Sequence, residues 1–391
     1  MPLIEHVIIL FVDNDSDDFL RYRLTLACKL RDLGYDVHAA VPKGEGVKDI
    51  LRQGIPAHIF YLQRKSARVL DELRSFISLL RIYQKLRPML VHHFSLKPML
   101  YGGISARLSG VPAAASTLTG LGYAFTARTL KMRALRFIIA LALQFSFRHP
   151  NHRVIFQNPD DRDHFLTSGI VPSERSVMIN GSGVDLSLFT PEPEPQGPPV
   201  ILMAARLLWE KGVAEFVSAA RVLRLRGTRA RFLLVGEPDY DHPSAVPVSK
   251  IREWRDAGDV EWLGWRDDIA ELIVQSHIVC LPSYYGEGVP RILIEAAASG
   301  RPIIGADFPG CREIIRNGQN GLLVPPHDVE ALARAIAQLI GNPQLRAAMG
   351  RRSQEIAANE FSLEKVIDAN FAVYHSLLID SCEAESLASA I

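Results

Sequence analysis

Pro191-Glu192-Pro193-Glu194-Pro195-Gln196-Gly197-Pro198-Pro199 splits the chain into two readable halves. Five prolines in nine residues can continue neither a helix nor a central strand, so residues 191–199 are expected to be a stiff, extended linker. On both sides of it, short β-branched apolar runs alternate with longer amphipathic segments, the pattern of βαβ units and mostly parallel sheets. Upstream, strands are predicted at Val7–Val12, Val37–Val41, His58–Tyr61, Met89–His93, Ala113–Thr117, Arg153–Phe156 and Val177–Ile179. Helical patterns between them cover Asp18–Leu33, Val69–Lys85, Met99–Ser109 and Lys131–Arg148. Downstream the alternation restarts with Val200–Ala205, Arg231–Val235, Val260–Leu263, Ile278–Leu281 and Pro302–Ile304. After Pro325-Pro326 the pattern is helical to about Leu378, broken near Gly341-Asn342-Pro343 and around Ser362.

The prediction is therefore an α/β protein of two Rossmann-like, doubly wound domains, residues 1–190 and 200–362. The last segment, residues 363–391, is expected to pack back on the first domain. Two such domains are expected to set the carboxyl ends of both sheets around a central cleft, where folds of this kind bind ligands.

Size and composition agree with that division. A chain of 391 residues exceeds what one core usually supports. At 48% hydrophobic and 22% charged residues it has the balance of a folded, water-soluble protein. The four cysteines, Cys28, Cys280, Cys311 and Cys382, are far apart and suggest neither a disulfide framework nor a metal site, so a reducing cytoplasm is expected. The apolar run Val7–Val12 stops at Asp13 and reads as a buried strand, not as a signal peptide. Phe137–Phe147, the most lipophilic later stretch, is too short to span a bilayer and contains Gln144.

Charge is divided unevenly. Residues 1–190 hold 24 Lys+Arg against 16 Asp+Glu, and the remainder 20 against 27. From Leu73 to Pro159 there is no acidic residue, while twelve basic ones occur, including Arg133, Arg136 and Arg148. With Phe137 and the apolar residues beside it, they suggest an interfacial helix docking on an anionic membrane surface. The competing reading is a core helix whose arginines reach back to water.

Two blocks could carry chemistry. The first is Ser283-Tyr284-Tyr285-Gly286-Glu287-Gly288-Val289-Pro290, followed by Arg291-Ile292-Leu293-Ile294-Glu295. Its glycines permit a tight turn after a strand, and Pro290 suits the first turn of the next helix. The free N–H groups and dipole there suit a diphosphate, and Glu287 and Glu295 suit the hydroxyls of sugar and ribose. The second is Ala205-Arg206-Leu207-Leu208-Trp209-Glu210-Lys211-Gly212, where Arg206 and Lys211 can neutralise a pyrophosphate leaving group without a metal.

Asp15-Ser16-Asp17 and Asp239-Tyr240-Asp241 match a loose metal-binding pattern but read as solvated turns. His92 and His93 end a strand near the expected cleft without a metal-ligand partner. Neither a Walker-type loop nor a strand-borne GxGxxG occurs, which argues against a nucleoside triphosphatase or a dehydrogenase.

With Arg206, Lys211 and the Glu287-x7-Glu295 spacing in view, the chain resembles the family-4 glycosyltransferases. The blocks His93–Pro98, Thr119–Tyr123, Gln157–Asp161 and Asn180–Leu186 resemble recurring blocks of that family. Within it, Arg206–Val213 and the block around Thr119 most resemble bacterial enzymes that extend undecaprenyl-diphosphate-linked sugars.

The resemblance implies the GT-B fold and a retaining, metal-independent transfer of a hexose or N-acetylhexosamine from a nucleotide diphosphate sugar, with UDP expected. No cofactor is expected. It places Arg206 and Lys211 at the donor diphosphate, Glu295 at the ribose, Glu287 with Gly288, Val289 and Pro290 at the transferred sugar, and Gly236 and Glu237 by the nucleobase. Asn14, Arg23, Lys97, Thr119 and Gly120 would lie on the acceptor side.

The chain departs from the family's usual pattern twice. A Gly-rich loop after the first strand is replaced by Asp13-Asn14-Asp15-Ser16, and a His after the fifth strand by Thr119. The expected partners are a nucleotide-sugar donor, a lipid-linked or glycan acceptor and an anionic membrane surface at the inner face of the cytoplasmic membrane, with no nucleic acid. A UDP-sugar epimerase, or a non-catalytic nucleotide-sugar-binding protein, are the alternatives.

Overall fold

The computed structural model describes residues 7–63, 68–120, 130–240 and 242–389. They form two compact units: Met1–Ile179 with Ile367–Ile391, and Asn180–Val366.

The first unit carries a seven-stranded parallel sheet: β1 (Ile8–Val12), β2 (Asp36–Val41), β3 (Ala57–Ile59), β4 (Leu90–Phe94), β5 (Ala113–Leu118), β6 (His152–Phe156) and β7 (Ser176–Met178). Its strand order is β3-β2-β1-β4-β5-β6-β7. β4 and β5 are buried along their whole length. A parallel strand covered on both faces has no solvent side, so the polar residues these strands do carry, His92, His93, Ser116 and Thr117, are buried with it and must find partners inside.

The helices of this unit are α1 (Ser16–Tyr22), α2 (Leu24–Asp32), α3 (Val47–Arg52), α4 (Val69–Leu86), α5 (Leu96–Leu108), α6 (Leu130–Phe147) and α7 (Pro159–Thr167). α5 packs between α4 and α6. Small residues let it sit close: a Cβ on Gly102 would fall 2.3 Å from His93, and one on Gly103 1.6 Å from Ser146 Oγ.

The single helix expected over Asp18–Leu33 is two helices, broken at Arg23, whose backbone leaves the helical region (φ −121°, ψ −26°). No Gly or Pro announces the break; Arg23 is instead drawn inward to Asp13 and to the Phe94 ring. His92 and His93 are core residues rather than site residues. His92 shares hydrogen bonds with Tyr374 Oη (2.5 Å) and Thr117 Oγ1 (2.7 Å), and His93 with Tyr83 Oη (2.9 Å) and Ser116 Oγ (3.1 Å). Burial holds both imidazoles well below their usual pKa, so they act there as neutral hydrogen-bonding groups.

The second unit has a six-stranded parallel sheet of order β10-β9-β8-β11-β12-β13. Its strands are β8 (Val200–Ala204), β9 (Arg231–Val235), β10 (Glu261–Gly264), β11 (Ile278–Leu281), β12 (Ile303–Ala306) and β13 (Gly321–Val324). Around it lie α8 (Val213–Leu225), α9 (Val248–Asp256), α10 (Ile269–Val274), α11 (Arg291–Ala298), α12 (Pro309–Ile314), α13 (Val329–Ile340) and α14 (Pro343–Glu360). One large core holds them together, with Phe216, Leu234, Val279, Ile294 and Ile336 at its centre. α15 (Leu363–Ser389) starts in this unit and from Ile367 belongs to the first. There Tyr374 meets His92, and Asn151 Nδ2 donates to Leu377 O at 2.7 Å.

The division falls at Ile179–Asn180, not at the prolines. The segment 191–199 is extended, yet it is strapped to the second unit and is not a free linker. Buried Arg301 donates to Glu192 O (2.9 Å) and Pro193 O (3.3 Å), and Arg346 grips the Glu194 carboxylate with two bonds of 2.8 and 2.9 Å. A planar guanidinium fork satisfies a carboxylate or a pair of carbonyls in one stroke, which anchors a stretch in which five of nine residues lack a backbone N–H.

Candidate functional site

In the second unit the strand order reverses between β8 and β11, and loops leaving such neighbours diverge to open a ligand crevice at the carboxyl end of the sheet. Both sequence blocks sit there. After β8 the chain passes Arg206, makes a 3-10 turn at Trp209–Lys211 and enters α8 through Gly212 (φ +80°). After β11 it runs through Ser283–Gly288 into α11, preceded by Pro290.

The two loops are tightly interlocked. A Cβ on Gly212 would lie 2.3 Å from Pro282 O. Tyr284 N donates to Glu210 O (2.9 Å) and Tyr284 Oη to Trp209 O (3.0 Å).

This interlock brings Lys211 and Glu287 together. Lys211, only 8% exposed, places Nζ 2.5 Å from Glu287 Oε2 and 5.3 Å from the centre of the Tyr285 ring. Ser283 Oγ donates to Glu287 Oε1 at 2.9 Å and fixes the other oxygen. Arg206 lies nearer solvent, 3.1 Å from Asp239 Oδ2, and lowers the pKa of the Tyr285 hydroxyl against the larger upward push of burial. Asp239 is thus a partner of Arg206 as well as a partly exposed turn residue. Asp15 likewise caps α1, accepting from Asp17 N and Asp18 N.

Gly236 (φ +122°) receives a bond from Trp262 Nε1 (2.9 Å), and a Cβ there would fall 1.9 Å from Ala205 O. Leu207 N donates to Glu237 O, so the loop after β9 closes on the Arg206 loop. Val289 is buried against Gly181, which brings the Asn180–Leu186 block into this unit. Gly310 packs on Gly288 so closely that a Cβ would lie 1.9 Å from its carbonyl oxygen. Glu295 is buried within α11 and ion-paired to Arg291 Nε at 2.7 Å; burial raises its pKa while Arg291 opposes the shift. Sequence reasoning missed Tyr285, Ser283 and Asp239 as partners of these groups: Tyr285 and Asp239 act through contacts distant in sequence, and Ser283 through the turn that folds it back on Glu287 four residues on.

The acceptor-side candidates belong to the first unit, where the strand order reverses between β1 and β4. Asn14 follows β1, and Arg23 turns back to Asp13 with Nε 3.5 Å from Oδ2. Thr119 and Gly120 follow β5, and Thr119 Oγ1 shares a hydrogen bond with Ser95 Oγ at 3.3 Å. Lys97 does not join them: it is taken up by Glu72 Oε1 (2.9 Å) and Gln63 O (2.8 Å).

On α6, Phe137 is 66% and Ile138 62% exposed, with Leu141 and Phe145 also outward, while Leu143 and Phe147 enter the core. The core reading of this helix holds for one side only. Arg148 is exposed and Arg136 half-buried, and the side chain of Arg133 lies outside the described residues. Among the described residues no helix is long and apolar enough to cross a membrane, and no three His, Cys, Asp or Glu side chains stand together as a metal site.

Comparison with known proteins follows this division. Residues 8–158 match the family described as glycosyl transferase 4-like, and residues 187–356 the one described as glycosyl transferases group 1. Over 360 residues the chain is 28% identical to the N,N'-diacetylbacillosaminyl-diphospho-undecaprenol alpha-1,3-N-acetylgalactosaminyltransferase of Campylobacter jejuni, covering 89% of this chain and 93% of that one. It is 22% identical to the UDP-Gal:alpha-D-GlcNAc-diphosphoundecaprenol alpha-1,3-galactosyltransferase of Escherichia coli, over 88% and 90% of the two chains. Among solved structures it is similar to a glycosyltransferase from Rickettsia africae (TM-score 0.76, 21% identity, 95% and 98% covered). It is also similar to Anabaena Alr3699/HepE in complex with UDP and glucose (TM-score 0.76, 19% identity, 95% and 100% covered).

Proposed function

The chain belongs to the family-4 glycosyltransferases of GT-B fold and is a hexosyl- or N-acetylhexosaminyltransferase, and on that premise we propose that it moves its sugar from UDP to a sugar carried on a polyprenyl diphosphate. The transfer retains anomeric configuration and needs no metal ion. The observation that carries this reading is the Lys211–Glu287 pair at the β8–β11 switch point, with Arg206 beside it. A cation meets the leaving diphosphate there, and a carboxylate meets the hydroxyls of the reacting sugar. Two of the relatives similar over most of the chain act, by their names, on diphospho-undecaprenol-linked sugars, and these support the acceptor class.

In this reading the bond from the sugar's C1 to the acceptor oxygen forms on the same face from which the diphosphate leaves. The leaving phosphate oxygen takes the acceptor's proton. Lys211 and Arg206 stabilise the charge that develops on the diphosphate, and Glu287 and the loop to Pro290 orient the sugar. The first unit meets an anionic bilayer through the outward Phe137, Ile138, Leu141 and Phe145 of α6, in a stretch free of acidic residues. Thermal-shift measurements with a panel of nucleotide sugars test the donor assignment: UDP-sugars should raise the melting temperature of the wild type and not that of Lys211→Ala. Stabilisation by GDP- or TDP-sugars alone would overturn it.

A further inference from the structure

The two cations assigned to the diphosphate, Arg206 and Lys211, meet on a side chain that has so far been given no role. Tyr285 turns its ring toward Lys211, with Nζ 5.3 Å from the ring centre. Arg206 donates toward its hydroxyl oxygen. Both electron-rich parts of the phenol, the ring face and the oxygen lone pair, thus face a positive charge. Each cation has a carboxylate as well: Glu287 Oε2 lies 2.5 Å from Lys211 Nζ, and Asp239 Oδ2 lies 3.1 Å from Arg206 Nη1.

The turn after β11 holds Tyr285 in this place. Ser283 Oγ accepts from Tyr285 N (3.3 Å) and donates to Glu287 Oε1 (2.9 Å), while Glu287 N donates to Tyr285 O (2.8 Å). From the loop after β9 the His242 ring meets the Tyr285 ring edge-on, with centroids 6.1 Å apart. The neighbouring tyrosine is used differently: Tyr284 Oη donates to Trp209 O at 3.0 Å, so its proton is already engaged. Tyr285 is only half-buried, which leaves it within reach of a ligand held by Arg206 and Lys211.

A phenol has one proton to donate and oxygen lone pairs to accept with. Arg206, a pure donor, uses a lone pair and leaves that proton for an acceptor. Burial pushes the hydroxyl's pKa up, with Arg206 opposing and Glu287 and Glu210 adding to the shift, so the phenol keeps its proton throughout the neutral range. A hydroxyl whose oxygen already accepts from a cation also donates more strongly.

We propose that Tyr285 is a further catalytic residue of the donor site: its O–H donates to an oxygen of the donor's β-phosphate, while its ring and lone pair hold Lys211 and Arg206 at a fixed spacing. That phosphate receives the electron pair of the breaking bond to the sugar's C1, so the hydrogen bond strengthens as the sugar leaves. Tyr285 keeps its own proton, and the acceptor's proton goes to the leaving phosphate oxygen as before. When the diphosphate draws Lys211 from Glu287 and Arg206 from Asp239, Tyr285 is the neutral contact that both cations retain. The proposal rests on the transferase reading above and adds to the leaving group an uncharged donor that no sequence motif marked.

The test compares UDP with UMP, which lacks the β-phosphate, by calorimetry on the full-length protein. Tyr285→Phe keeps the ring and removes only the O–H. It should weaken UDP by about tenfold or more, the usual effect of losing a hydrogen bond to a charged group, and leave UMP unchanged. In steady state kcat should fall by about tenfold or more with a smaller change in KM for the donor, because the bond is strongest in the transition state. Tyr285→Leu, which also removes the ring beside Lys211, should weaken UDP beyond Tyr285→Phe. A merely structural role would weaken UDP and UMP alike and lower the melting temperature. Equal loss for the two nucleotides, or wild-type UDP affinity and turnover in a folded Tyr285→Phe, overturns the proposal; equal UDP affinity in the two variants overturns the part given to the ring. If the wild type binds no uridine nucleotide, the UDP reading fails by itself, and inorganic pyrophosphate becomes the probe. Binding present in the wild type and lost in Tyr285→Phe then supports the assignment, and equal binding or none overturns it.

Discussion

Lys211 Nζ stands 2.5 Å from Glu287 Oε2, so the cation assigned to the diphosphate and the carboxylate assigned to the sugar neutralise one another before any donor arrives. Lys211 is nearly buried, and a buried cation without a counter-ion would be costly. Under the proposed function, a diphosphate entering this site would compete with Glu287 for Lys211, and the released carboxylate would become available to sugar hydroxyls, so that the pair would couple donor binding to orientation of the reacting sugar.

Glu287→Gln should separate those two roles. With the competing carboxylate gone, UDP affinity should stay level or tighten, while kcat falls by roughly two orders of magnitude or more because the sugar loses its orienting group. Glu295→Ala should do the reverse, raising KM for the donor with a smaller effect on kcat. Calorimetry with UDP alongside steady-state kinetics reads both, and wild-type turnover in folded Glu287→Gln would remove Glu287 from the reacting centre.

Gly212→Ala should damage the site without altering any charge. The residue sits at φ +80°, and its new methyl would meet Pro282 O at 2.3 Å, which forces the loops after β8 and β11 apart. Strain of this kind costs on the order of 1–3 kcal/mol. A lower melting temperature together with weaker UDP binding is the expected result; unchanged UDP binding would show that the interlock of the two loops does not shape the donor site.

Much of this was legible in the sequence because the informative groups are local. The strands of the first sheet were visible as short runs rich in apolar residues, although only β4 and β5 are buried along their whole length. Glu287, Glu295, Arg206 and Lys211 could be singled out because they stand in loops, or in the helix just after one, that follow predicted strands. What escaped depends on contacts far apart in the chain. β13 is a four-residue edge strand opened by Gly321, too short to stand out between turn residues. The break at Arg23 carries no Gly or Pro, and only the inward pull of Asp13 and Phe94 accounts for it. The proline segment reads as a linker because composition shows its stiffness but not Arg301 and Arg346, more than a hundred residues away, which hold it to the second unit. Asp13 itself looked like the end of a strand; that its Oδ2 is buried without a hydrogen-bond partner is a property of packing alone.

The outward face of α6 leads to a prediction about membranes. Liposome flotation should show binding that requires anionic lipid and falls as salt rises, since exposed charges are screened. Changing Arg133 and Arg136 to glutamate should weaken it by about 1 kcal/mol or more per residue. Phe137→Ser with Ile138→Ser should weaken it at any salt concentration. A wild type that ignores anionic vesicles at low salt would place the apolar face of α6 against some other surface.

The central claim is transfer from a UDP-sugar to a polyprenyl-diphosphate-linked sugar, and it is tested most directly by following that reaction by NMR in the presence of EDTA. Incubated with UDP-N-acetylhexosamine or UDP-hexose donors and a short-chain polyprenyl-diphosphate N-acetylhexosamine, the protein should release UDP in step with an α-linked disaccharide on the lipid carrier, at the same rate with and without chelator. Conversion of the UDP-sugar without any acceptor, a β-linked product, or activity that disappears with EDTA and returns with magnesium or manganese would contradict the account.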